Sequence, residues 1–355
     1  MKKIYAVLMV TLLVLVSVFA QGSNEKISLA QTDNPPAASI GVVFTTAGLG
    51  DNNFNDMVHA GLVKAKEDFG ITFDYAEPAS DGEIITTLYD FAQSGKYDLL
   101  ITLSSESSSA TEEVSKKYPN QKFCIIDTVV DGSNVHSLSK AGQEQCFLDG
   151  VLASLMTQDT SYPLINDKKV VGAVVGADFP TLRALTAGFV AGAKFYDSSV
   201  EVVTATVGSF TDVNKGKELA LSLYNKGADM IQNLQGSGTG IFAAAEEAGF
   251  YAFGCGANQN GISPDRIVCT SGFVLTQIVY DECKSIIDGT WKSGVSNPGL
   301  RNGAFENLYE NSNITVSAEI LAKVEEAKNW FLQNPDIQLP TEVSDVDAWI
   351  AQYRK

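Results

Sequence analysis

Short apolar runs alternate with helix-like segments along almost the whole chain, and this alternation constrains the fold more than any other feature. Ile40–Phe44 predicts a buried strand and Asp56–Phe69 predicts the helix that follows it, and the same pairing recurs down the chain. Strands separated by helices of this length form βαβ units, whose strands are parallel and covered on both faces. The sequence therefore predicts an α/β protein.

The alternation falls into two series, which predict two similar lobes. The second series starts at Lys169–Val175, after the polar, Pro-containing stretch "TQDTSYPLINDKK" that is the best candidate for a crossover. We expect residues 39–150 plus about 265–295 in the first lobe and residues 151–264 plus about 296–355 in the second. Within these, Gln143–Thr157 predicts one long helix, and a Pro-bounded strand is expected before a last helix near Asp345–Tyr353.

The amino terminus has the features of a secretory signal peptide. Lys2 and Lys3 precede an apolar run, Ala6–Val16, that is too short to span a bilayer. Val18-Phe19-Ala20 then offers small residues at the −3 and −1 positions of a cleavage site. We therefore expect a signal peptide at residues 1–20, a flexible leader at residues 21–38, and export to the periplasm or elsewhere outside the cytoplasm. With no Cys near Ala20, the sequence indicates no lipid anchor, and we expect no membrane insertion after cleavage.

The charge balance excludes two classes of partner. The chain has 42 acidic and 25 basic residues, a formal net charge of −17. Nucleic acids and anionic membranes need patches of Lys and Arg, so neither is expected as a partner.

The numbers and spacing of the cysteines and histidines limit the disulfide and metal chemistry that the chain can support. The five cysteines are either small buried hydrophobic residues or, in an oxidising compartment, include a Cys255–Cys269 bridge, and both alternatives stay open. There is no C-x-x-C motif and there are only two histidines, so no metal site and no cofactor are predicted.

The loops after the predicted strands are the place to look for a ligand site, because ligands of open parallel sheets bind at the carboxyl ends of strands. The first such loop, "GDNNFND", contains Phe54, although a turn needs only its Gly, Asn and Asp residues. Phe179 and Phe210 occupy comparable loops in the second series. One aromatic in a loop is often only an anchor to the core, but rings facing each other across a cleft would sandwich a flat heterocycle.

Other motifs in these loops allow chemistry but favour simpler roles. "QGSGTG", which contains Gly236, exposes backbone N–H groups at a helix start, yet it is neither a dinucleotide nor a P-loop motif. The Ser-rich loop that ends at Ser109 lacks a nucleophile elbow and is better explained by helix capping. The sequence allows three roles for Asp51 and Asp127. They could accept hydrogen bonds from a ligand, cap helices or, as the least favoured alternative, act as an acid–base pair. We therefore predict a protein without catalytic residues.

Five ordered segments carry a resemblance to a known family: "GLGDNNFNDMVHAGL", "QEQCFLDGVLASLMT", "VVGAVVGADFPTLRALTAGFVAGAKF", "VGSFTDVNKGKELALSLYNKGADMI" and "QGSGTGIFAAAEEAG". Together they resemble the basic-membrane-protein family of ABC-transporter substrate-binding proteins, which includes purine nucleoside receptors. The resemblance implies a type I periplasmic-binding fold, with two Rossmann-like lobes, parallel sheets and a hinge. It also implies a ligand held between the lobes, lobe closure, and an ABC transporter permease as partner.

The resemblance extends to single positions, with departures. Asp51, Phe54 and Asn55 match the family's first ligand loop, and Phe210 matches its second stacking aromatic. The positions at which this sequence departs, by lacking the family's Asp or Lys, are Ser109, Gly256, Asn258 and Val274. The full set of candidate ligand-binding residues is Asp51, Asn53, Phe54, Asn55, Ser109, Asp127, Phe179, Phe210, Gly236, Gly256, Asn258 and Gln259.

The departures affect the groups with which the family holds a ribose, while the stacking positions are kept. We therefore expect a flat heterocyclic ligand of purine nucleoside or nucleobase type. Two alternatives stay open, a flavin-binding receptor of the same fold and a ligand sensor that feeds a membrane signalling receptor.

Overall fold

The computed structural model describes residues 36–354, so the predicted signal peptide (residues 1–20) lies outside the described residues. The predicted leader (residues 21–38) overlaps them only at its end. There Ala38 is buried, and its carbonyl oxygen accepts a hydrogen bond from the Thr72 N–H at 2.9 Å. Within the described range, no helix combines the length and apolar character that crossing a bilayer requires.

Two six-stranded sheets organise the described chain, one in each lobe. The strands of the first sheet are β1 (Ser39–Val43), β2 (Thr72–Ala76), β3 (Leu99–Leu103), β4 (Phe123–Ile126), β5 (Val135–Leu138) and β11 (Gly294–Ser296). Those of the second sheet are β6 (Val170–Val175), β7 (Glu201–Thr206), β8 (Ala228–Leu234), β9 (Tyr251–Gly256), β10 (Ile267–Phe273) and β12 (Phe305–Leu308).

Helices connect these strands and cover the sheets. They are α1 (Phe54–Phe69), α2 (Asp81–Ser94), α3 (Ser108–Lys117), α4 (Gly142–Gln145), α5 (Phe147–Met156), α6 (Pro180–Ala193), α7 (Val213–Asn225), α8 (Thr239–Ala248), α9 (Leu275–Ile287), α10 (Ala318–Gln333) and α11 (Val346–Tyr353). The predicted α/β alternation is confirmed.

The strand order explains where a ligand site forms. The order is β11-β5-β4-β3-β1-β2 in the first sheet and β12-β10-β9-β8-β6-β7 in the second, and only β12 pairs antiparallel to its neighbour. In each sheet the order in which the chain adds strands therefore reverses beside the first strand. The reversal lies between β1 and β3 in the first sheet and between β6 and β8 in the second. Such switch points open a crevice at the carboxyl ends of the strands.

Burial follows position in the sheet. The central strands β3 ("LLITL") and β6 ("VVGAVV") are buried at every residue, as parallel strands covered on both faces should be. The edge strands β2 and β7 are partly exposed. The apolar runs of the sequence therefore mark the centres of the two sheets.

The lobe boundaries differ from the expected ones at two places. Strand β10 pairs with β9 and β12 in the second sheet, although the sequence assigned residues from about 265 to 295 to the first lobe. Helix α9, which follows β10, does pack against α1 of the first lobe. At the other boundary, α4 and α5 pack against α6 of the second lobe, so the first lobe ends before Gly142 rather than at residue 150.

The element predictions were wrong in two details. The helix expected over Gln143–Thr157 is interrupted at Cys146, which separates α4 from α5. Within the described residues, no strand forms at the Pro-bounded position before the last helix. Two strands that were not predicted, β11 and β12, lie earlier in the chain, on either side of an irregular segment. Both strands are only three or four residues long, which leaves too little periodicity to detect.

Helices α5 and α6 of the second lobe are in backbone contact. A Cβ atom added at Gly192 would lie 1.9 Å from the Phe147 carbonyl oxygen of α5, and one at Gly188 would lie 2.0 Å from the Gln143 carbonyl oxygen of the adjacent helix α4. A Cβ atom at Gly150 would likewise lie 2.1 Å from the Phe189 carbonyl oxygen. These glycines let the two helices approach more closely than any side chain allows.

The described chain passes between the lobes at three places: between β5 and α4, between β10 and α9, and between β11 and β12. The passages are hydrogen bonded to one another. Ala141 N–H donates to the Pro298 carbonyl oxygen at 3.0 Å, and Val274 N–H donates to the Ala304 carbonyl oxygen at 3.1 Å. The three connections therefore form one hinge, which lies at the base of the cleft between the lobes.

Candidate ligand-binding site

A cavity of about 370 Å³ lies between the lobes, and loops from the carboxyl ends of both sheets line it. Its volume is at the small end of the range of about 300–1,000 Å³ that is typical of small-molecule pockets. The predicted site residues that line this interlobe cavity are Asp51, Asn53, Phe54, Asp127, Phe179, Phe210, Gly236 and Gly256. The position matches the crevice that the strand order defines.

Aromatic rings from both lobes line the cavity. Phe54, the first residue of α1, belongs to the first lobe, and Phe179 and Phe210 belong to the second. The rings of Phe179 and Phe210 are nearly parallel, with centroids 6.3 Å apart and an interplanar angle of 22°. A Cβ atom at Gly176 would lie 2.7 Å from the Phe210 ring, so glycine at this position lets the ring lie against the backbone. We call these three rings the aromatic walls.

Asp51 organises the loop that presents Phe54. Its Oδ1 accepts a hydrogen bond from the Asn53 N–H at 2.9 Å, and its Oδ2 accepts from the Asn55 N–H at 3.0 Å. Burial raises the pKa of Asp51, and these backbone hydrogen bonds oppose that rise. The carboxylate is therefore largely committed to the loop itself, although it lines the cavity.

Asn55 does not line the cavity, because its side chain is buried inside the same loop. Its Nδ2 donates to the Gly48 carbonyl oxygen at 2.8 Å, and its Oδ1 accepts from the Thr45 N–H at 3.2 Å. The carboxamide thus ties the end of β1 to the start of α1. This structural role replaces the expected contact with the ligand.

Three further predicted residues also lie outside the cavity lining. Ser109 is exposed on α3, and Asn258 is exposed, with its Nδ2 donating to the Glu310 carbonyl oxygen at 3.2 Å. Gln259 is buried and links two loops of the second lobe, since its Oε1 accepts from the Cys255 N–H at 3.0 Å and its Nε2 donates to the Gly236 carbonyl oxygen at 2.9 Å. Like Asn55, these three residues do not line the interlobe cavity.

The sequence reasoning missed Lys140. Its Nζ lies 3.2 Å from Asp127 Oδ1, and only 9% and 17% of the two side chains are exposed. The ammonium group also lies 5.2 Å from the centroid of the Phe273 ring. Asp127 follows β4 and Lys140 follows β5, and these strands are neighbours. Two opposite charges after adjacent parallel strands were the signal that could have revealed the pair.

The environment of this pair affects both ionisable groups. Burial raises the pKa of Asp127, and the neighbouring Lys140 lowers it in part. Burial lowers the pKa of Lys140, but the Asp127 carboxylate outweighs that effect, so that its net shift is upward. The ammonium group therefore stays protonated, and the cavity has a fixed hydrogen-bond donor at its hinge side.

Asn53 joins the two lobes directly. Its Nδ2 donates to the Gly236 carbonyl oxygen at 3.1 Å, and its Oδ1 accepts from the Ala257 N–H at 3.0 Å. A Cβ atom at Gly256 would lie 2.0 Å from Asn53 Oδ1. Glycine at position 256 therefore makes room for the Asn53 carboxamide, which closes the cleft beside the cavity.

We expect Asn53→Asp to release ligand about tenfold faster. The change keeps the shape but replaces the N–H donor with an oxygen facing the Gly236 carbonyl oxygen, and a loss of about 1.4 kcal/mol corresponds to tenfold. Stopped-flow displacement measures the dissociation rate, and acidic pH should restore it in part, because a protonated Asp donates again. The control is Asn120→Asp, since Asn120 is an exposed loop asparagine that does not line the cavity. Equal rates for the two variants would contradict this role for Asn53.

The cysteines among the described residues are free and buried. The strand register pairs Cys255 with Ser271 and Cys269 with Phe253. Cys255 and Cys269 are thus two rungs apart, about 8 Å by strand spacing, which is too far for a disulfide. Of the two alternatives from the sequence, the structure favours buried free thiols. Cys255 also lines the cavity.

The two α/β lobes, the hinge and the interlobe cavity define a solute-binding protein of the periplasmic-binding type. The family model described as "ABC transporter substrate-binding protein PnrA-like" matches residues 38–338. The chain belongs to this family, the basic-membrane-protein family, as the resemblance implied. Its members are substrate-binding proteins of ABC transporters rather than enzymes.

Comparison with known proteins supports the same assignment. The chain is 33% identical over 276 residues to an uncharacterized lipoprotein of Pyrococcus abyssi, covering 74% of this chain and 67% of the relative. It is 31% identical over 213 residues to the ABC transporter nucleoside-binding protein BmpA of Lactococcus lactis, covering 58% of this chain and 57% of that relative. The chain therefore spans only about two thirds or less of the length of these relatives.

Solved structures confirm the fold. An ABC transporter solute-binding protein from Aeropyrum pernix has a TM-score of 0.78 and 24% identity, covering 89% of this chain and 97% of that one. A protein described as a transcriptional activator of the comK gene from Bacillus halodurans has a TM-score of 0.69 and 20% identity, covering 84% of this chain and 99% of that one. At these identities the similarity concerns the fold alone.

Proposed function

We propose that this chain is an exported receptor that captures a flat heterocyclic solute of purine nucleoside or nucleobase type and delivers it to the permease of an ABC importer. The observation that carries the proposal is the set of aromatic walls, Phe54 from one lobe and the parallel pair Phe179 and Phe210 from the other, around one small cavity. Aromatic side chains that stack on a base tolerate different bases, since every base has a π-face.

The charges around the cavity favour a neutral ligand over a nucleotide. Among the described residues that line it, the charged ones are Asp51, Glu106, Asp127 and Lys140. The ammonium group of Lys140 is already paired with Asp127. A phosphate group would have to enter an environment with more carboxylates than cations, and desolvation would not be repaid. The proposed ligand is therefore an uncharged base or nucleoside.

The relatives agree with the ligand class and with export. The Lactococcus lactis relative is named a nucleoside-binding protein, and the Pyrococcus relatives are named lipoproteins. The amino-terminal sequence of this chain predicts a signal peptide. We therefore propose that the chain is exported.

Identification of the compound that co-purifies with the protein tests this proposal. Protein purified without refolding is denatured, and the released compound is identified by mass spectrometry and ultraviolet absorbance. We expect a purine base or nucleoside, in an amount close to one per chain. A flavin, which would colour the preparation yellow, or a sugar would replace the proposed ligand class.

A further inference from the structure

The Lys140–Asp127 pair has hydrogen-bonding capacity that the described protein residues do not use. A lysine ammonium has three N–H donors, and one carboxylate oxygen, Asp127 Oδ1, lies within 3.2 Å of Lys140 Nζ. Both side chains line the interlobe cavity. A buried donor without an acceptor is costly, and an acceptor on a ligand would remove that cost.

The other charged groups of the cavity lining already accept hydrogen bonds from backbone N–H groups of the protein. Asp51 accepts hydrogen bonds from the N–H groups of Asn53 and Asn55. Glu106 Oε2 accepts from the N–H and the hydroxyl group of Thr46, both at 3.2 Å. The Lys140–Asp127 pair is therefore the charged group of the described lining that is best able to bind a polar edge of a ligand.

The backbone holds this pair in place at the hinge side of the cavity. Asp127 adopts a positive φ of 69°, and its carbonyl oxygen accepts a hydrogen bond from the Thr181 hydroxyl of the second lobe at 3.0 Å. Lys140 belongs to the hinge passage between β5 and α4. The Lys140 ammonium group is a hydrogen-bond donor and the adjacent Asp127 carboxylate is an acceptor. Together they match a ligand ring edge that has an acceptor next to a donor.

We propose that Lys140 and Asp127 read the polar edge of the ring that the aromatic walls hold, with Lys140 donating to a ring acceptor and Asp127 accepting from the adjacent N–H. This inference rests on the proposed function and narrows it to 6-substituted purines. A 6-oxopurine offers N1–H and C6=O at this edge, and a 6-aminopurine offers N1 and the 6-amino group. Unsubstituted purine lacks the second group of the edge.

The test compares hypoxanthine with unsubstituted purine by isothermal titration calorimetry. The wild-type protein should bind hypoxanthine about 10- to 100-fold more tightly, because hydrogen bonds to charged groups are among the stronger ones. The double variant Asp127→Asn/Lys140→Met removes both charges together and so leaves no unpaired ion. We expect it to bind the two compounds alike, at the affinity that wild type has for purine.

The matched control is Glu112→Gln/Lys116→Met, which removes an exposed ion pair of the first lobe with side chains 56% and 67% exposed. It should keep the wild-type preference. If wild type binds purine as tightly as hypoxanthine, or if the cavity double variant keeps the preference, the inference is wrong while the proposed function stands. If wild type binds neither compound nor any other purine or nucleoside, the proposed function is wrong and the inference falls with it. The wild-type comparison holds even if the double variant does not fold.

Discussion

Removing both sides of the aromatic walls, in the variant Phe54→Ala/Phe210→Ala, should weaken ligand binding by about 2–6 kcal/mol. Each ring that stacks on a base contributes about 1–3 kcal/mol in comparable sites, and these two rings lie on opposite lobes. The single variants should each lose about 1–3 kcal/mol. Titration calorimetry with the co-purified compound measures all three affinities.

The control for this prediction is Phe73→Ala. Phe73 lies on the edge strand β2, packs against His59, and does not line the cavity. Its removal should leave affinity within about twofold of wild type, a difference of about 0.4 kcal/mol. If Phe54→Ala and Phe210→Ala both bind as tightly as this control, the ligand does not stack between the lobes.

Gly192→Val should lower the free energy of unfolding by about 4 kcal/mol or more, since losses of this size arise from changes such as overpacking of the core. The new Cβ atom would start 1.9 Å from the Phe147 carbonyl oxygen, and a backbone atom cannot move aside as a side chain does. Helices α5 and α6 would have to separate, which opens the core of the second lobe. Urea denaturation followed by circular dichroism measures the change in unfolding free energy.

Gly82→Ala is the matched control, because Gly82 also lies in a helix, α2, but a Cβ atom there would meet only the Ser80 hydroxyl, at 4.0 Å. We expect it to be neutral or to stabilise by about 0.5–1 kcal/mol, since alanine restricts the unfolded chain. An unfolding midpoint for Gly192→Val equal to that of Gly82→Ala would refute the close helix contact.

The sequence predicted the fold well where local pattern decides structure. Strands such as β3 and β6 are apolar throughout, and their burial on both faces follows directly. The prediction of the lobe boundary failed because it depends on which strands pair. The sequence of β10 does not show its partner, and its hydrogen bonds to β9 assign it to the second lobe. The short strands β11 and β12 were missed because a few residues in a Gly- and Asn-rich segment show no period.

The lining of the cavity was also predicted only in part, because a sequence does not show which loops come together. Phe54 and Phe210 were predicted because a turn needs no large aromatic, and both line the cavity. Asn55 and Gln259 were also predicted to bind ligand, but they do not line the cavity, and their carboxamides form hydrogen bonds within loops. Lys140 was missed because a sequence gives no distance between separate loops. Only the sheet brings its ammonium group to Asp127.

Asn53 and Gly256 illustrate what the structure adds to a family resemblance. The resemblance places an Asp at position 256, where this sequence has Gly, and this was one of the departures that affect the groups with which the family holds a ribose. In the structure the space beside Gly256 is filled by the carboxamide of Asn53, which bonds to the backbone of the second lobe. The two positions are therefore coupled, and the cavity is closed on this side by the protein itself.

Titration of the wild-type protein with hypoxanthine, inosine and glucose tests directly whether the interlobe cavity binds a purine. Glucose is the negative control in the panel, because it has no flat aromatic ring that could stack between the aromatic walls. We expect saturable binding of one purine base or nucleoside per chain and no heat of binding with glucose. Binding of glucose without binding of either purine compound would contradict the proposed function.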